Sequence, residues 1–538
     1  MRRFKTRAWT IAILTGAAAW PAHAQTAPGV SAAIAPAMTC ERLTELKIPN
    51  ANVAISKATA IPDSAPGTVR IRPTTPDMVG VAIPSYCSGE GEIDRRTGVD
   101  GKTFSIGFSI ALPNRWNGRF LFQGGGGLNG EIRLPLGADA TGEVPAIARG
   151  FAVISTNSGH QGTTYDSSFI KDQEAALNFA YASVGKVTLA AKAIIAAYYG
   201  RPVNRSYFVG CSTGGREAMV AATRYSGEYD GVVAGSPAMR TGFSRLGLAT
   251  ANAAFNEVAP RDEAGKPEAA KLFPVGDRKL VTKAILDACD AGDGIKDGLI
   301  FNSKACRFEP SSLTCNGAKT DACLSPQQVG ALKKAFAGPM NSRNGQVYPP
   351  FPWDSGLANE GVGITVPGIL VTGAKSRDGD AAYENLNIDR IEDEIRADGF
   401  QMLRDTANWT NLNSFFGHGG KLLFYHGWSD PWFSALDTVR YYERMAQDSG
   451  GMDTVRANAS RLFAVPAMGH CRTGDALDRF DMLSAVVDWV ETAKAPDSVL
   501  ATGPAFPGRS RPLCPWPQYA HYKGQGDQND AANFECRQ

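Results

Sequence analysis

The chain has little of several features that mark other classes of protein. Its formal net charge is only +2 over 538 residues, so no basic excess indicates a nucleic acid or an anionic membrane surface as partner. After the N-terminal region it contains no apolar run of about 18 residues or more, the length that a membrane-spanning helix requires. Its 10 cysteines include no C-x-x-C pair, which argues against a zinc site. These absences favour a soluble globular protein.

The N-terminal region is basic and then apolar. M-R-R-F-K-T-R precedes an apolar stretch from Ala8 to Trp20 and the triplet Ala22-His23-Ala24. This pattern is typical of a cleavable secretory signal, and the apolar stretch is shorter than the ~20 residues that a membrane anchor needs. We therefore expect residues 1–24 to be removed and the mature protein to be secreted or periplasmic. An even number of cysteines in an exported chain indicates disulfides.

Short apolar runs alternate with helical patterns along much of the chain. Six runs have the length of strands: Arg119 to Gln123, Phe151 to Thr156, Ser206 to Val209, Gly231 to Ala234, Lys421 to Tyr425 and Arg461 to Val465. Their hydrophobicity is continuous, which is typical of parallel strands that are covered on both faces. Helical spacing over Val187 to Gly200 and Arg216 to Tyr225 separates some of them. The order predicts an α/β fold with a doubly wound parallel sheet.

The alternation stops between residues 239 and 420. Gly, Asp, Pro and four cysteines collect there, and a loop of that length is rare in a compact domain. We predict a core in two parts, residues 25–238 and 421–538, with an inserted lid domain over residues 239–420. The tail from Pro496 is rich in Pro and Gly, and we expect it to wrap the surface.

The segment Gly210-Cys211-Ser212-Thr213-Gly214 is the only G-x-S-x-G match in the chain. It follows a predicted strand and opens a predicted helix, which is the context of a nucleophile elbow. The turn would raise the serine hydroxyl above the sheet, close to the positive end of the helix dipole. An ordinary turn between a strand and a helix is the alternative.

A serine nucleophile needs a histidine base and a carboxylate, which follow it in that fold in the order Ser, Asp, His. The chain has only six histidines. Asp430 follows one predicted strand in H-G-W-S-D, and His470 follows the next in P-A-M-G-H-C. Both would lie at the carboxyl ends of strands, where α/β sites form. We predict Asp430 and His470 as acid and base, and structural roles for His418, His426 and His521.

Two further features surround the predicted nucleophile. Four glycines, Gly124 to Gly127, follow a strand, where a backbone N–H must approach a developing oxyanion. A phosphate-binding loop is the alternative, but no Lys-Ser/Thr or G-x-G-x-x-G pattern supports it. Cys211 precedes the serine and Cys471 follows the histidine, so a bond between them would hold both loops in register.

The motifs G-C-S-T-G-G-R-E, H-G-W-S-D-P-W-F-S-A-L-D-T, M-G-H-C and R-P-L-C-P-W-P-Q-Y resemble those of the tannase and feruloyl esterase family. This family of secreted serine esterases also includes enzymes that hydrolyse mono(2-hydroxyethyl) terephthalate. The resemblance extends from Cys40 to Cys536. It implies an α/β-hydrolase fold, in which a lid separates the strand after the nucleophile helix from the strand bearing the acid. The residues that it implies are the triad Ser212, Asp430 and His470 and the oxyanion donors Gly127 and Thr213.

The resemblance also implies disulfides and a metal. The pairs are Cys40 with Cys87, Cys211 with Cys471, Cys289 with Cys306, Cys315 with Cys323, and Cys514 with Cys536. Three aspartates crowd the lid segment C-D-A-G-D-G-I-K-D-G-L-I, and Ca²⁺ prefers such oxygen ligands. A solvated acidic turn is the alternative from the residues alone. The implied ligands of a structural calcium are Asp290, Asp293 and Asp297 with the carbonyls of Ile295 and Leu299, and no organic cofactor is expected.

The expected reaction is hydrolysis of an ester of an aromatic acid, of the feruloyl or galloyl kind. Trp428, Trp432 and Phe433 flank Asp430 in the sequence and are candidates for the wall of the acyl pocket, or for packing beneath the lid. The expected partner is thus a small aromatic ester. A non-catalytic binding protein on the same scaffold is the remote alternative.

Hydrolysis of a terephthalate monoester is the second activity considered. Its free carboxylate would need a cationic partner, because an unpaired buried charge is costly. The lid arginines Arg377, Arg390 and Arg396 lie outside any segment that matches the carboxylate-binding one of terephthalate-ester hydrolases. Thr213 also replaces the glutamate that follows the nucleophile there. We therefore predict a preference for neutral hydroxylated aromatic esters.

Overall fold

A nine-stranded mixed sheet forms the centre of the protein. The computed structural model describes residues 33–49, 51–71, 77–358, 386–472 and 474–538; the predicted signal segment and Arg377 lie outside them. The strands are β1 Val53–Ile61, β2 Tyr86–Thr97, β3 Thr103–Pro113, β4 Arg119–Gln123, β5 Ala152–Thr156, β6 Arg205–Cys211, β7 Gly231–Gly235, β8 Lys421–Gly427 and β9 Ser460–Val465. Their spatial order is β1-β2-β3-β5-β4-β6-β7-β8-β9.

The sheet is parallel only in part. Strands β5, β4, β6, β7, β8 and β9 pair in parallel, and these are the six strands that the apolar runs predict. Strands β1, β2 and β3 add an antiparallel extension beside β5, so the expectation of a wholly parallel sheet is wrong. Strands β1 and β2 escape the prediction because exposed and partly exposed residues interrupt their buried ones, as in strands with one solvated face.

Twelve helices accompany the strands in the described part of the chain. They are α1 Gln173–Leu177, α2 Ser183–Tyr199, α3 Thr213–Arg224, α4 Thr241–Val258, α5 Val275–Cys289, α6 Pro326–Ala337, α7 Ile388–Ala397, α8 Gly399–Arg404, α9 Asn413–Gly417, α10 Ala435–Asp448, α11 Met452–Asn458 and α12 Met482–Thr492. The helical stretch Gln173–Tyr199 has the length and composition to cross a membrane, but 61% of its most apolar part is buried inside the protein. Its helix α2 contacts β3, β5 and α3, as expected for a core helix.

Alternate residues of the parallel strands enter two different hydrophobic cores. Phe120 and Phe122 of β4 and Phe208 of β6 pack into one cluster. Leu121 of β4 and Tyr207 of β6 pack into the other. Both faces of these strands are therefore covered, which explains their continuous hydrophobicity.

The inserted segment between β7 and β8 adds no strand to the sheet among its described residues. Helices α4 to α9 lie in it. It has its own hydrophobic cluster, which includes Phe243, Leu246, Ile285, Leu332 and Tyr348. This cluster supports an insertion at the predicted place, whereas the bounds of a separate domain at 239 and 420 stay a prediction.

The C-terminal tail is more regular than the sequence predicts. Strands β10 Arg479–Phe480, β11 Val499–Thr502 and β12 Ser510–Leu513 form one small sheet, and β13 Tyr519–Tyr522 pairs with β14 Phe534–Arg537. Ala520, Tyr522 and Phe534 pack with Ile295 of the inserted segment. The Pro and Gly content hid these strands, because each is only two to four residues long.

Five disulfides use the 10 cysteines. They join Cys40 to Cys87, Cys211 to Cys471, Cys289 to Cys306, Cys315 to Cys323 and Cys514 to Cys536. These are the pairs that the family resemblance implies. The described residues contain no free cysteine.

Candidate active site

Ser212 occupies a strained turn between β6 and α3. Its backbone angles are φ 65° and ψ −124°, a conformation that non-glycine residues adopt at a cost of about 1–3 kcal/mol. The turn is tight, because it has no room for a side chain at either flanking glycine. A Cβ on Gly210 would lie 2.4 Å from the carbonyl oxygen of Gly214, and a Cβ on Gly214 would lie 2.8 Å from that of Gly125. Ser212 N donates to Gly235 O at 3.0 Å. Small neighbours and this bond to β7 hold the serine at the carboxyl edge of the sheet.

Asp430 lies just beyond β8, at the same edge. Asp430 is 2% exposed, and its Oδ1 accepts the N–H groups of Trp432 at 2.9 Å and Phe433 at 3.1 Å. Oδ2 lies 2.7 Å from His470 Nδ1. Burial by itself raises the pKa of this carboxyl group, but the two nearby histidines, His470 and His426, outweigh it and hold the pKa well below its usual value. Asp430 is therefore an anion at neutral pH.

The contact with Asp430 determines how His470 can act. A neutral imidazole that donates its Nδ1–H to a carboxylate keeps Nε2 as its basic nitrogen. The ring centroid of His470 lies 5.0 Å from that of Trp432 and 5.3 Å from that of Phe433. His470 is thus oriented by a buried anion and flanked by two aromatic rings.

The disulfide between Cys211 and Cys471 joins the serine turn to the histidine loop. The two Cα atoms are 6.0 Å apart, although 260 residues separate them in sequence. Ser212 and His470 directly adjoin the two cysteines in the chain. The disulfide therefore holds the segment that carries Ser212 next to the segment that carries His470, at the carboxyl ends of the strands.

His426 is closer to the site than the sequence predicts. Its Nε2 lies 3.3 Å from Asp430 Oδ2 and 3.0 Å from the carbonyl of Phe433, while its Nδ1 lies 2.8 Å from Thr438 Oγ1. The separation of four residues between His426 and Asp430 in H-G-W-S-D was the only sequence signal for this contact. It was not decisive, because His426 lies within strand β8. His418, by contrast, lies within hydrogen-bond distance of the carbonyls of Ser414 and Tyr229 and packs against the Phe415 ring, which agrees with its expected structural role.

The glycine loop leaves one backbone N–H without a protein acceptor in the described part of the chain. The others are taken up: Gly124 donates to Val209 O at 2.9 Å, Gly125 to Glu217 Oε2 at 2.8 Å, Gly126 to Asn129 Oδ1 at 2.8 Å and Leu128 to Thr164 O at 2.8 Å. Gly127 has φ +57°, and a Cβ there would lie 2.4 Å from Thr164 Cγ2. The N–H that remains therefore belongs to a position that favours glycine.

Thr213 lies beside this loop. It is the first residue of α3, so its N–H has no acceptor within the helix. Its hydroxyl donates to the carbonyl oxygen of Gly127, which joins the helix to the loop. Two backbone N–H groups, from Gly127 and Thr213, are thus available at neighbouring positions.

The three aromatic residues predicted for the acyl pocket separate into two groups. Trp432 and Phe433 are partly exposed and flank His470. Trp428 is 4% exposed and packs against Trp516 at 5.6 Å between centroids. Trp428 lines a different cavity of about 560 Å³, with Trp353 and Trp516. The structure therefore brings only Trp432 and Phe433 to the histidine.

The acidic loop of the inserted segment buries two carboxylates. Asp293 Oδ2 accepts the N–H of Phe301 and Asp290 Oδ2 that of Gly298, both at 3.0 Å, while Asp290 Oδ1 is buried without a hydrogen-bond partner. Burial raises the pKa of Asp293 to about 7 and raises that of Asp290. Asp297 pairs with Arg511. The described residues contain no convergent group of three or more His, Cys, Asp or Glu side chains. Asp290 and Asp293 thus have buried carboxylates that a cation would stabilise, whereas Asp297 is already paired with the guanidinium of Arg511.

The mixed sheet carries a serine, a buried carboxylate and a histidine on loops at the carboxyl ends of its parallel strands, and the comparison with known proteins identifies the class of protein that has this arrangement. The chain belongs to the tannase and feruloyl esterase family, whose family model matches residues 91–537. It is accordingly a carboxylic ester hydrolase of that type.

Two curated relatives show the range of the family. The chain is 37% identical to a mono(2-hydroxyethyl) terephthalate hydrolase from Piscinibacter sakaiensis, over 91% of this chain and 89% of the relative. It is 30% identical to a probable feruloyl esterase B-2 from Aspergillus flavus, over 74% and 77% of the two chains.

Solved structures share the fold at lower sequence identity. Feruloyl esterase B from Aspergillus oryzae matches with a TM-score of 0.73 and 23% identity, over 93% of this chain and all of that one. Tannin acyl hydrolase from Aspergillus niger matches with a TM-score of 0.69 and 21% identity, over 93% and 95%. These similarities place the mixed α/β sheet and its helices in the same fold.

Proposed function

We propose that the protein is an exported serine esterase that hydrolyses esters of aromatic carboxylic acids, with Ser212, His470 and Asp430 as its catalytic triad. The observation that carries this proposal is the 2.7 Å contact of His470 Nδ1 with Asp430 Oδ2, in a loop that Cys471 joins to Cys211 beside the serine. These groups have the chemistry of a nucleophile, a base and an orienting anion.

Acylation follows from these roles. Ser212 Oγ attacks the ester carbonyl carbon while His470 Nε2 accepts the hydroxyl proton, and the Asp430 anion stabilises the imidazolium. The tetrahedral intermediate then expels the alcohol, which takes the proton from His470. Deacylation repeats the sequence with water: His470 accepts a proton from water, the hydroxide adds to the acyl carbon, and Ser212 leaves with that proton. The products are the carboxylic acid, the alcohol and free enzyme.

The proposed oxyanion donors are the N–H groups of Gly127 and Thr213. Negative charge develops on the carbonyl oxygen only in the tetrahedral intermediate, so donors that are already oriented stabilise it selectively. The hydrogen-bond pattern of the glycine loop supports Gly127, because its neighbours already donate to protein acceptors. The position of Thr213 at the start of α3 supports the second donor.

The proposed acyl group is a neutral hydroxylated aromatic ring of the feruloyl or galloyl kind. Trp432 and Phe433 offer an apolar surface beside His470. The two described lid arginines named above already have partners, since Arg390 pairs with Glu394 at 2.5 Å and Arg396 with Glu392 at 2.7 Å. Neither is set apart for the free carboxylate of a terephthalate monoester.

Hydrolysis of a terephthalate monoester is the second candidate. It is supported by the 37% identity to a mono(2-hydroxyethyl) terephthalate hydrolase. A comparison of kcat/KM for methyl ferulate, methyl gallate and mono(2-hydroxyethyl) terephthalate tests both candidates on one preparation. We expect the two neutral esters to exceed the monoester, and the reverse order would overturn the preference. No turnover of any ester would instead favour a non-catalytic binding role.

We also propose the lid, a structural calcium and export as features of this esterase. Calcium would be held by Asp290, Asp293 and Asp297 with the carbonyls of Ile295 and Leu299, and Asp297 would share its carboxylate between the ion and Arg511. The ion would neutralise the Asp290 and Asp293 carboxylates, whose charged form burial disfavours. Metal analysis of protein purified without chelator should find calcium, and its absence would contradict the site. Export is supported by five disulfides; N-terminal sequencing of exported protein should begin at residue 25.

A further inference from the structure

A buried carboxylate joins the nucleophile helix to the glycine loop. Glu217 lies on α3 and is 1% exposed. Its Oε2 accepts the N–H of Gly125 at 2.8 Å, and its Oε1 accepts Asn129 Nδ2 at 2.7 Å and Ser158 Oγ at 2.8 Å. Three donors from two other segments thus converge on one side chain of the helix that begins directly after Ser212.

Asn129 extends this connection to the next peptide of the loop. It is 2% exposed, and its Oδ1 accepts the N–H of Gly126 at 2.8 Å. The hydroxyl of Thr213, on the same helix as Glu217, donates to the carbonyl oxygen of Gly127. The peptides on both sides of the Gly127 N–H are therefore anchored to α3, directly or through Asn129.

Hydrogen bonds rather than a salt bridge satisfy the Glu217 carboxylate within the described residues. The neighbouring Arg216 interacts with Glu217 electrostatically, but it donates its hydrogen bonds to the carbonyls of Phe179 and Ala180. Burial of a carboxylate is costly unless hydrogen bonds compensate it. A carboxylate only accepts hydrogen bonds, so it matches three converging donors better than a neutral amide does.

We propose that Glu217 is a positioning residue that holds the Gly124 to Gly127 loop so that the Gly127 N–H meets the oxyanion. The inference rests on the proposed function, since it acts on the proposed oxyanion donor. Stabilisation by fixed donors depends on their position in the transition state, and about 1 Å of displacement can cost ~100-fold in rate. Glu217 would therefore affect kcat more than substrate binding.

Glu217→Gln tests this role with little change of shape. One carboxylate oxygen becomes an NH₂ donor, which must face either the Gly125 N–H or the donors of Asn129 and Ser158. We expect kcat for p-nitrophenyl acetate to fall about 10- to 100-fold, with KM within about twofold. Binding of an aryl trifluoromethyl ketone, whose adduct with serine carries an oxyanion, should weaken by a similar factor. Inhibition by benzyl alcohol, a neutral aromatic that has no carbonyl or carboxylate oxygen to contact the oxyanion donors, should not change.

Glu491→Gln is the matched control. Glu491 binds strands β4 and β6, which lead into the glycine loop and helix α3, near their amino ends. Its Oε1 accepts the Tyr207 O–H and the Arg119 Nε–H, each at 2.7 Å. This variant should lower the melting temperature and leave kcat and ketone binding within about twofold of the parent. A general loss of packing would change both variants alike, whereas a positioning role changes ketone binding only in Glu217→Gln.

Ser158→Ala provides a second test if Glu217→Gln does not fold. It removes one of the three donors to Glu217 and leaves the Gly125 contact in place, so kcat and ketone binding should weaken together by a few-fold. Unchanged kcat in a folded variant of either residue, or a lower kcat with unchanged ketone binding, would overturn the inference. An inactive parent that a fluorophosphonate does not label at Ser212 would instead refute the proposed function.

Discussion

Strands β4 and β6 are held by different contacts at their two ends, which are called here the amino edge and the carboxyl edge of the sheet. At the amino edge, Glu491 pairs with the guanidinium of Arg119 and the hydroxyl of Tyr207. At the carboxyl edge, Glu217 accepts only uncharged donors, one of them a backbone N–H of the glycine loop. The carboxyl edge also contains residues with positive φ, Ser212 at 65° and Gly127 at 57°.

The difference indicates what each edge contributes. A carboxylate that pairs with a guanidinium joins two side chains and affects mainly stability. A carboxylate that accepts a backbone N–H determines where the main chain lies, and a strained turn keeps its conformation only when its surroundings enforce it. We therefore expect changes at the carboxyl edge to affect catalysis as well as stability, and changes at the amino edge to affect stability alone.

The largest effect is expected for Ser212→Ala at the carboxyl edge. Loss of the nucleophile should lower kcat/KM for an aryl ester by at least about 10⁴-fold, as in other serine hydrolases that lose a triad member. The melting temperature should change little, because the hydroxyl adds little to packing. Ester turnover and circular dichroism on the same sample measure both. Residual activity within tenfold of the parent would exclude Ser212 as nucleophile.

Removal of the disulfide at the site sharpens the comparison. The double variant Cys211→Ala and Cys471→Ala should lose about 6 kcal/mol of unfolding free energy by the chain-entropy account, together with much of its kcat. The control pair Cys40→Ala and Cys87→Ala lies at the antiparallel end of the sheet, and should lose about 4 kcal/mol while its folded fraction keeps kcat. Denaturant unfolding and specific activity are the measurements. Full activity in the first variant would contradict a role in site geometry.

A third effect concerns Asp354, which is fully buried and joins the two loops of the carboxyl edge. Its Oδ2 accepts Ser429 Oγ at 2.6 Å, next to Asp430, and the N–H of Ala467 at 2.8 Å, in the histidine loop. Burial raises the pKa of Asp354 from 3.8 to about 6. Since this pKa is raised on folding, its contribution to stability is complete below about pH 4 and is lost as the pH rises through 6.

Asp354→Asn should remove this pH dependence. Between pH 4 and 7 the parent should lose up to about 3 kcal/mol of unfolding free energy relative to the variant, from about two pKa units. Urea unfolding at several pH values measures it, with Asp488→Asn on the exposed face of α12 as control. Parallel pH profiles for the parent and Asp354→Asn would contradict the assignment.

The smallest effect is expected at the amino edge. Tyr207→Phe removes the hydroxyl that donates to Glu491 at 2.7 Å and should lower the unfolding free energy by about 1 kcal/mol. Because this bond lies far along the strand from Ser212, kcat should stay within about twofold. A fall in kcat of more than about twofold in a folded Tyr207→Phe variant would show that the two edges are coupled, and would contradict the distinction between them.

Much of the parallel sheet could be predicted from the sequence. The interval Arg119–Gln123 is the same in prediction and structure, and the ends of β7 and β8 differ by one or two residues, because burial on both faces leaves a continuous apolar run. The antiparallel strands β1 and β2 were missed because exposed and partly exposed residues interrupt their buried ones. Strand β3 was missed although nearly all of its residues are buried. The sequence left open which of Trp428, Trp432 and Phe433 lies beside the histidine, because sequence distance from Asp430 does not determine which way a side chain points.

The sequence by itself determined the features that depend on neighbouring residues: the turn around Ser212, the strand ends that carry Asp430 and His470, and the glycine run. Such features are local because a tight turn and a buried strand each need particular residue types in one short segment. Only the tertiary structure decided the contacts of Glu217 with Gly125, of His426 with Asp430, and of Asp354 with Ser429. A polar side chain in a helix or loop has the same local pattern whether it faces solvent or a buried donor. Its partner depends on how distant segments pack together.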